Sequence, residues 1–164
     1  MRASITTVIA CLGLAGCDET AVQPPDPANL AMSHAAPNAP RWYWPEQVAK
    51  GADLYLAYCA ECHGQNAEGT PNWRQPGPDG KYPPPPLNGS AHTWHHPLAM
   101  LRQTVRIGGV PVGGSMPAFG DKLNNDEIDA ILAWVQSHWS DQIYAFWRVR
   151  DAQSTSQLRA AARD

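Results

Sequence analysis

The sequence predicts an all-α fold, and three features predict it. Asn124-x-x-Glu127 has the form of a helix capping box. Behind it Ile128, Ile131, Leu132, Val135 and Trp139 fall at the i, i+3, i+4, i+7 and i+11 spacing of one buried helical stripe, which carries a helix to about His138. Upstream, Pro45 suits the first position of a helix, and Glu46 to Tyr58 follow with no breaker except Gly51. No segment shows the alternation of a half-buried strand.

The elements follow in chain order. Arg2 is a short positive start, and the apolar run from Ile5 to Leu14 is too short to span a bilayer but fits a secretory signal. It ends in Leu14-Ala15-Gly16-Cys17, which resembles the lipobox of bacterial lipoproteins. That resemblance implies a signal peptide over residues 1–16, cleavage before Cys17, and lipidation of Cys17. Two acyl chains suffice for stable anchoring, and the lipoprotein pattern gives three. Asp18 resembles the inner-membrane retention signal of enteric lipoproteins. Residues 17–40 then carry the lipidated Cys17 and a Pro/Ala-rich flexible tether with no hydrophobic period. Its reach is on the order of 25 Å. Met32 and His34 lie in the tether and are read as inert.

Residues 41–140 form the expected folded domain. Gly51 inside its first helix costs roughly 1 kcal/mol against alanine, so a close helix crossing is expected there. Tyr55 lies one turn later on the same face. A further helix runs from Pro97 to Ile107 and stops at Gly108-Gly109. Met100, near Leu101 and Val105, is read as a packing residue of that helix. Residues 141–164 are a polar C-terminal extension in which Ile143, Phe146, Trp147 and Arg150 share one helix face, to dock on the domain or on a partner. The formal charge is −3 and offers no basic surplus for nucleic acid.

Cys59-Ala60-Glu61-Cys62-His63 carries the chemistry. Thiols at this spacing can each form a thioether to one vinyl group of haem, and the adjacent histidine then lies under the iron; CxxCH is the attachment signature of c-type haem. A zinc site would need a second ligand pair, but Cys11 and Cys17 belong to the export signal. A thioredoxin-like redox pair would need a βαβ pattern, which is missing. One covalent haem c is therefore expected, held by Cys59, Cys62 and His63. In bacteria haem is attached to such proteins outside the cytoplasm, the compartment that the lipobox also indicates.

The stretch Gly51-Ala-Asp-Leu-Tyr55-Leu-Ala-Tyr-Cys59-Ala-Glu-Cys62-His63-Gly64 resembles the N-terminal helix and haem motif of class I cytochromes c. Ile131-Leu-Ala-Trp134-Val resembles part of their C-terminal helix. The resemblance covers roughly residues 45–140 and implies a class I cytochrome c fold, with orthogonal N- and C-terminal helices crossing at the glycine around one haem. It also implies a sixth iron ligand. Met116, in Gly113-Gly114-Ser115-Met116-Pro117, resembles the family's distal methionine in order and setting. His63 and Met116 are thus the expected metal ligands. Pro85-Pro86-Leu87 resembles the family's turn beneath the proximal histidine, which implies that the Pro85 carbonyl accepts the His63 Nδ1 proton and places Leu87 beside the haem.

His92-Thr93-Trp94-His95-His96 admits a metal-site reading, but adjacent histidines on one loop rarely converge unaided. Packing at the haem edge is the better expectation, with the Trp94 indole N–H on a propionate. No general base, nucleophile or substrate pocket can be nominated, so the expected protein is not an enzyme. It is expected to be an electron carrier anchored by lipid on the periplasmic side of a bacterial membrane, passing electrons between redox proteins. The alternatives are a haem subunit of a larger oxidoreductase, an open-site haem enzyme or sensor, and a metal-handling protein.

Overall fold

A computed structural model describes residues 40–163; Cys17, the signal and most of the tether lie outside the described residues. Among the described residues all regular structure is helical, without strands. Five α-helices follow one another: α1 (Pro45–Tyr58), α2 (Ala60–His63), α3 (Leu98–Ile107), α4 (Asn125–Ser137) and α5 (Asp141–Ala161). Short 3-10 turns at His92–His95 and Val110–Val112 punctuate the loops.

Local chemistry sets the helix boundaries. Pro45 opens α1 and the Gln47 side chain accepts from the Trp44 N–H at 3.0 Å. Asn124 caps α4 by accepting from the Glu127 N–H at 3.0 Å, and the Glu127 carboxylate accepts from the Asn124 N–H at 3.0 Å. Both orphan donors are thereby satisfied. The α3 helix begins after Pro97 and ends at Gly108, whose φ of 75° suits glycine.

The core forms where α1 crosses α4. A Cβ on Gly51 would overlap the Ala130 carbonyl and come within 3.0 Å of the Trp134 Cβ, so only glycine allows the backbones this close. One turn on, Tyr55 is fully buried and its ring lies 4.1 Å from that of Trp134. The whole α4 stripe is buried: Ile128, Ile131, Leu132 and Val135, with Trp139 just past the helix. Leu101 and Val105 of α3 join it, and Arg102 grips Asp129 of α4 in a bidentate pair at 2.6 and 2.7 Å. Met100 does not pack here. It is 49% exposed, because one residue before Leu101 is a rotation of about 100° out of the buried face.

The C-terminal helix docks on the domain. Tyr144 and Trp147 are among its most deeply buried side chains. The Trp147 indole donates to the His96 carbonyl at 3.0 Å, and Asp151 accepts from the Leu98 N–H at 2.8 Å. Arg41, just before α1, binds this corner together. It donates to the carbonyls of Gln136 (3.0 Å) and Trp139 (3.2 Å), pairs with Asp141 (2.7 Å) and lies 4.0 Å over the Tyr144 ring. Trp42 adds an indole bond to the Gln136 side chain at 2.6 Å. Buried indoles keep a partner for their N–H, and these two do.

Candidate functional site

The last turn of α1 runs into α2, so the two cysteines and His63 are carried on nearly continuous helix. Cys59 is half-buried, Cys62 exposed, and neither forms a disulfide. Burial pushes the Cys59 thiol up to about 11, with Cys62 adding to the shift. A redox-active CxxC pair needs the opposite, a lowered thiol pKa. Among the described residues no group of three His, Cys, Asp or Glu side chains is placed to hold a metal ion. What the segment offers is two unpaired thiols and one histidine.

His63 is buried, and its Nδ1 lies 2.9 Å from the Pro85 carbonyl oxygen. Burial holds its pKa below the usual histidine value, and the Pro85 contact works against that shift. The neutral ring with its proton on Nδ1 donates to Pro85, which leaves the Nε2 lone pair free.

A proline run makes this arrangement possible. Prolines have no N–H, so residues 83–86 cannot pair as a strand and present carbonyls only. Three successive carbonyls are each used by a different part of the chain. Pro84 accepts from the Thr70 N–H at 3.0 Å, Pro85 meets His63, and Pro86 accepts from the Thr93 hydroxyl at 3.2 Å. The Ala67 carbonyl then takes the N–H groups of Leu87 (2.8 Å) and Asn88 (3.2 Å). Gly69 permits the approach: a Cβ there would overlap Pro86 N and stand 2.5 Å from the Pro85 carbonyl carbon. Leu87 packs against the core, and its carbonyl accepts from the Trp139 indole at 2.8 Å.

Met116 sits in a loop closed on itself. The Gly109 N–H donates to the Met116 carbonyl and the Gly114 N–H to the Gly109 carbonyl, both at 2.9 Å. Its side chain is partly buried against the core. Phe119, three residues on, meets Tyr58 edge-on at 6.3 Å between centroids. Tyr58 precedes Cys59, so the segment after Met116 is brought against the end of α1.

The histidine cluster forms an aromatic array. His92 stacks on Trp73 at 5.5 Å and meets His96 edge-on at 5.6 Å. Trp94 lies between His95 (3.9 Å) and Phe146 of α5 (6.3 Å). Burial first, then neighbouring positive charge that includes Arg150, keeps His95 and His96 below the ordinary histidine pKa.

Comparison with known proteins decides what the arrangement is. The family described as cytochrome C oxidase, cbb3-type, subunit III matches residues 46–135, more than half of the chain. The chain belongs to this family. It is a c-type cytochrome with the all-α fold, and its business is electron transfer through haem. A relative, the Cbb3-type cytochrome c oxidase subunit FixP of Sinorhizobium medicae (strain WSM419), is 29% identical over 96 residues, 55% of this chain. That match covers 29% of the relative, so the chain spans under a third of its length. No solved structure matches.

The residues of this cytochrome fit a haem. Two unpaired thiols precede a histidine whose free Nε2 is fixed in direction by its other nitrogen, and the Met116 thioether lies partly buried in the loop after α3. Sequence reasoning missed Arg41 as an organising residue and missed the partner of the Tyr55 hydroxyl. The Tyr55 hydroxyl donates to the Gly64 carbonyl at 2.9 Å and so pins the chain just after His63. The aromatic one turn after the crossing glycine was visible, but the destination of its hydroxyl was not.

Proposed function

We propose that this cytochrome is a non-enzymatic electron carrier with one haem c joined covalently to Cys59 and Cys62. His63 Nε2 and Met116 Sδ would hold its iron, and Leu87 and Trp94, both packed against the core, would lie against the group. The haem supplies one-electron iron chemistry when bound. The chain's part is to hold it, orient it and exclude water. The His63–Pro85 contact is the observation that carries the reading. It fixes the ring and raises its basicity toward a metal, as a hydrogen-bonded carbonyl does for ligating histidines generally. Sulfur from Met116 favours the reduced state and a high potential.

The proposal places the protein on the periplasmic side of a bacterial membrane, held by lipid on Cys17. Among the described residues no helix is long and apolar enough to cross a membrane. The family match favours a second reading, in which the protein serves as the haem subunit of a membrane oxidase. Co-purification from gently solubilised membranes separates carrier from subunit. Haem content tests both: the purified protein carries one haem that resists acid–acetone extraction. Cys59→Ser with Cys62→Ser abolishes attachment. Most of that variant's chain should stay unfolded, and a folded, haem-free form that holds zinc would sink the proposal.

A further inference from the structure

Charge is unevenly distributed along the chain. Between 148 and 164 there are four arginines (Arg148, Arg150, Arg159, Arg163) and two acids, Asp151 and Asp164, a net +2 in a protein of formal charge −3. Asp151 is turned inward onto the Leu98 N–H, and Arg150 is close enough to His95 and His96 to depress their pKa values. The others point elsewhere. Arg148 and Arg159 are eleven residues apart, three helical turns, and so share one face of α5; Arg163 continues it just past the helix end. From Thr155 to Arg163 every side chain is exposed. Ala152, Thr155, Ser156, Arg159, Ala160 and Arg163 lie side by side along this exposed flank of the helix. Small side chains, hydroxyls and guanidinium groups are the chemistry that receives a phosphate.

The same face receives the start of the folded domain, because Arg148 donates to the Pro40 carbonyl at 2.8 Å. The chain leading back to Cys17 therefore joins the domain beside the arginines. From Arg148 to Arg163 the helix spans about 22 Å, comparable with the tether's reach on the order of 25 Å.

We propose that the Arg148–Arg159–Arg163 face of α5 lies on the anionic lipid surface that anchors the chain, with Arg159 and Arg163 taking lipid phosphates. The inference rests on the Cys17 anchor. It turns a tether into an oriented mount, since the domain touches the bilayer through one helix instead of tumbling above it.

The test uses the full lipidated, haem-loaded protein on protein-free vesicles of phosphatidylcholine, with and without phosphatidylglycerol. Backbone hydrogen exchange over residues 152–163 is expected to slow roughly tenfold on the anionic vesicles, as two surface arginines can supply. High salt removes the protection. Arg159→Gln with Arg163→Gln removes it too, and the double lysine variant restores most of it. Equal exchange on both vesicles, with the protein still firmly attached, overturns the inference and spares the anchor. Release of the protein from both by a salt wash overturns the anchor reading and this inference with it. Protection that needs native membrane proteins and never appears on anionic lipid overturns it in favour of a protein partner.

Discussion

The two sides of the proposed haem site are built differently. On the proximal side, bonds join segments 14 to 22 residues apart: His63 to Pro85, Thr70 to Pro84, Ala67 to Leu87. On the other side, the loop that carries Met116 closes within itself, Gly109 to Met116 and Gly114 to Gly109, and is tied to α3 only at its base, where the Phe119 and Gly120 N–H groups donate to the Val105 and Arg106 carbonyls at 3.0 Å. Its tip is open to solvent, with Val110 61% and Val112 88% exposed. Cross-linked segments move only by partial unfolding, whereas a self-closed loop can change without disturbing the core. On the proposed assignment His63 thus belongs to the fold and Met116 to a more replaceable part.

The largest effect is expected where the proximal frame meets the core. Gly51→Ala places a methyl on the Ala130 carbonyl, so α1 and α4 must separate. Alanine is a better helix former by about 1 kcal/mol, yet overpacking of this kind costs about 1–3 kcal/mol and occasionally more. Because the clash here is with backbone, a net loss of about 2 kcal/mol or more is expected in denaturant unfolding of the haem-loaded protein. A variant as stable as the wild type would show that the crossing is not tight.

Much of this frame was legible in the sequence, for physical reasons that can be named. The capping box at Asn124 and the stripe behind it are local signals, and the structure keeps both. The Gly51–Tyr55 pair pointed to a close crossing because a mid-helix glycine costs something that packing must offset. The corner formed by Arg41, Gln136, Tyr144 and Trp147 was legible only in part. The docking face through Trp147 was expected, but Tyr144 and the Arg41 contacts were not, because those contacts join residues about a hundred positions apart. Met100 was misjudged because closeness in sequence to Leu101 stood in for position on the helix face.

Met116→Ala tests the distal half of the comparison. The covalent haem and the fold should survive, because the loop's bonds run through backbone atoms of Gly109, Gly114 and Met116. Loss of the sulfur should lower the reduction potential by on the order of 0.1 V, within the ~0.8 V that axial ligation spans. Carbon monoxide should then bind the reduced protein readily. A wild-type protein that already binds carbon monoxide or peroxide with ease would remove Met116 from the iron and move an open-site haem enzyme ahead of the carrier.

The smallest effect concerns Tyr55, and pH exposes it. Burial raises its phenol well above the ordinary value of 10.0, with Cys59 and Glu68 adding in the same direction. The unfolded chain therefore releases this proton near pH 10 while the folded chain keeps it. Stability from Tyr55 is fully present below that pH and falls as pH rises past it, by at most about 1.4 kcal/mol per pH unit. Tyr43 and Tyr144 are raised too, chiefly by burial, so they share the alkaline loss. Tyr55→Phe should cost about 1 kcal/mol at neutral pH, because the Gly64 carbonyl loses its partner. Above pH 10 the variant's stability should fall less steeply than the wild type's, by one tyrosine's share and no more. Identical slopes in denaturant titrations on both sides of that pH would mean that the proximal frame does not depend on this buried hydroxyl.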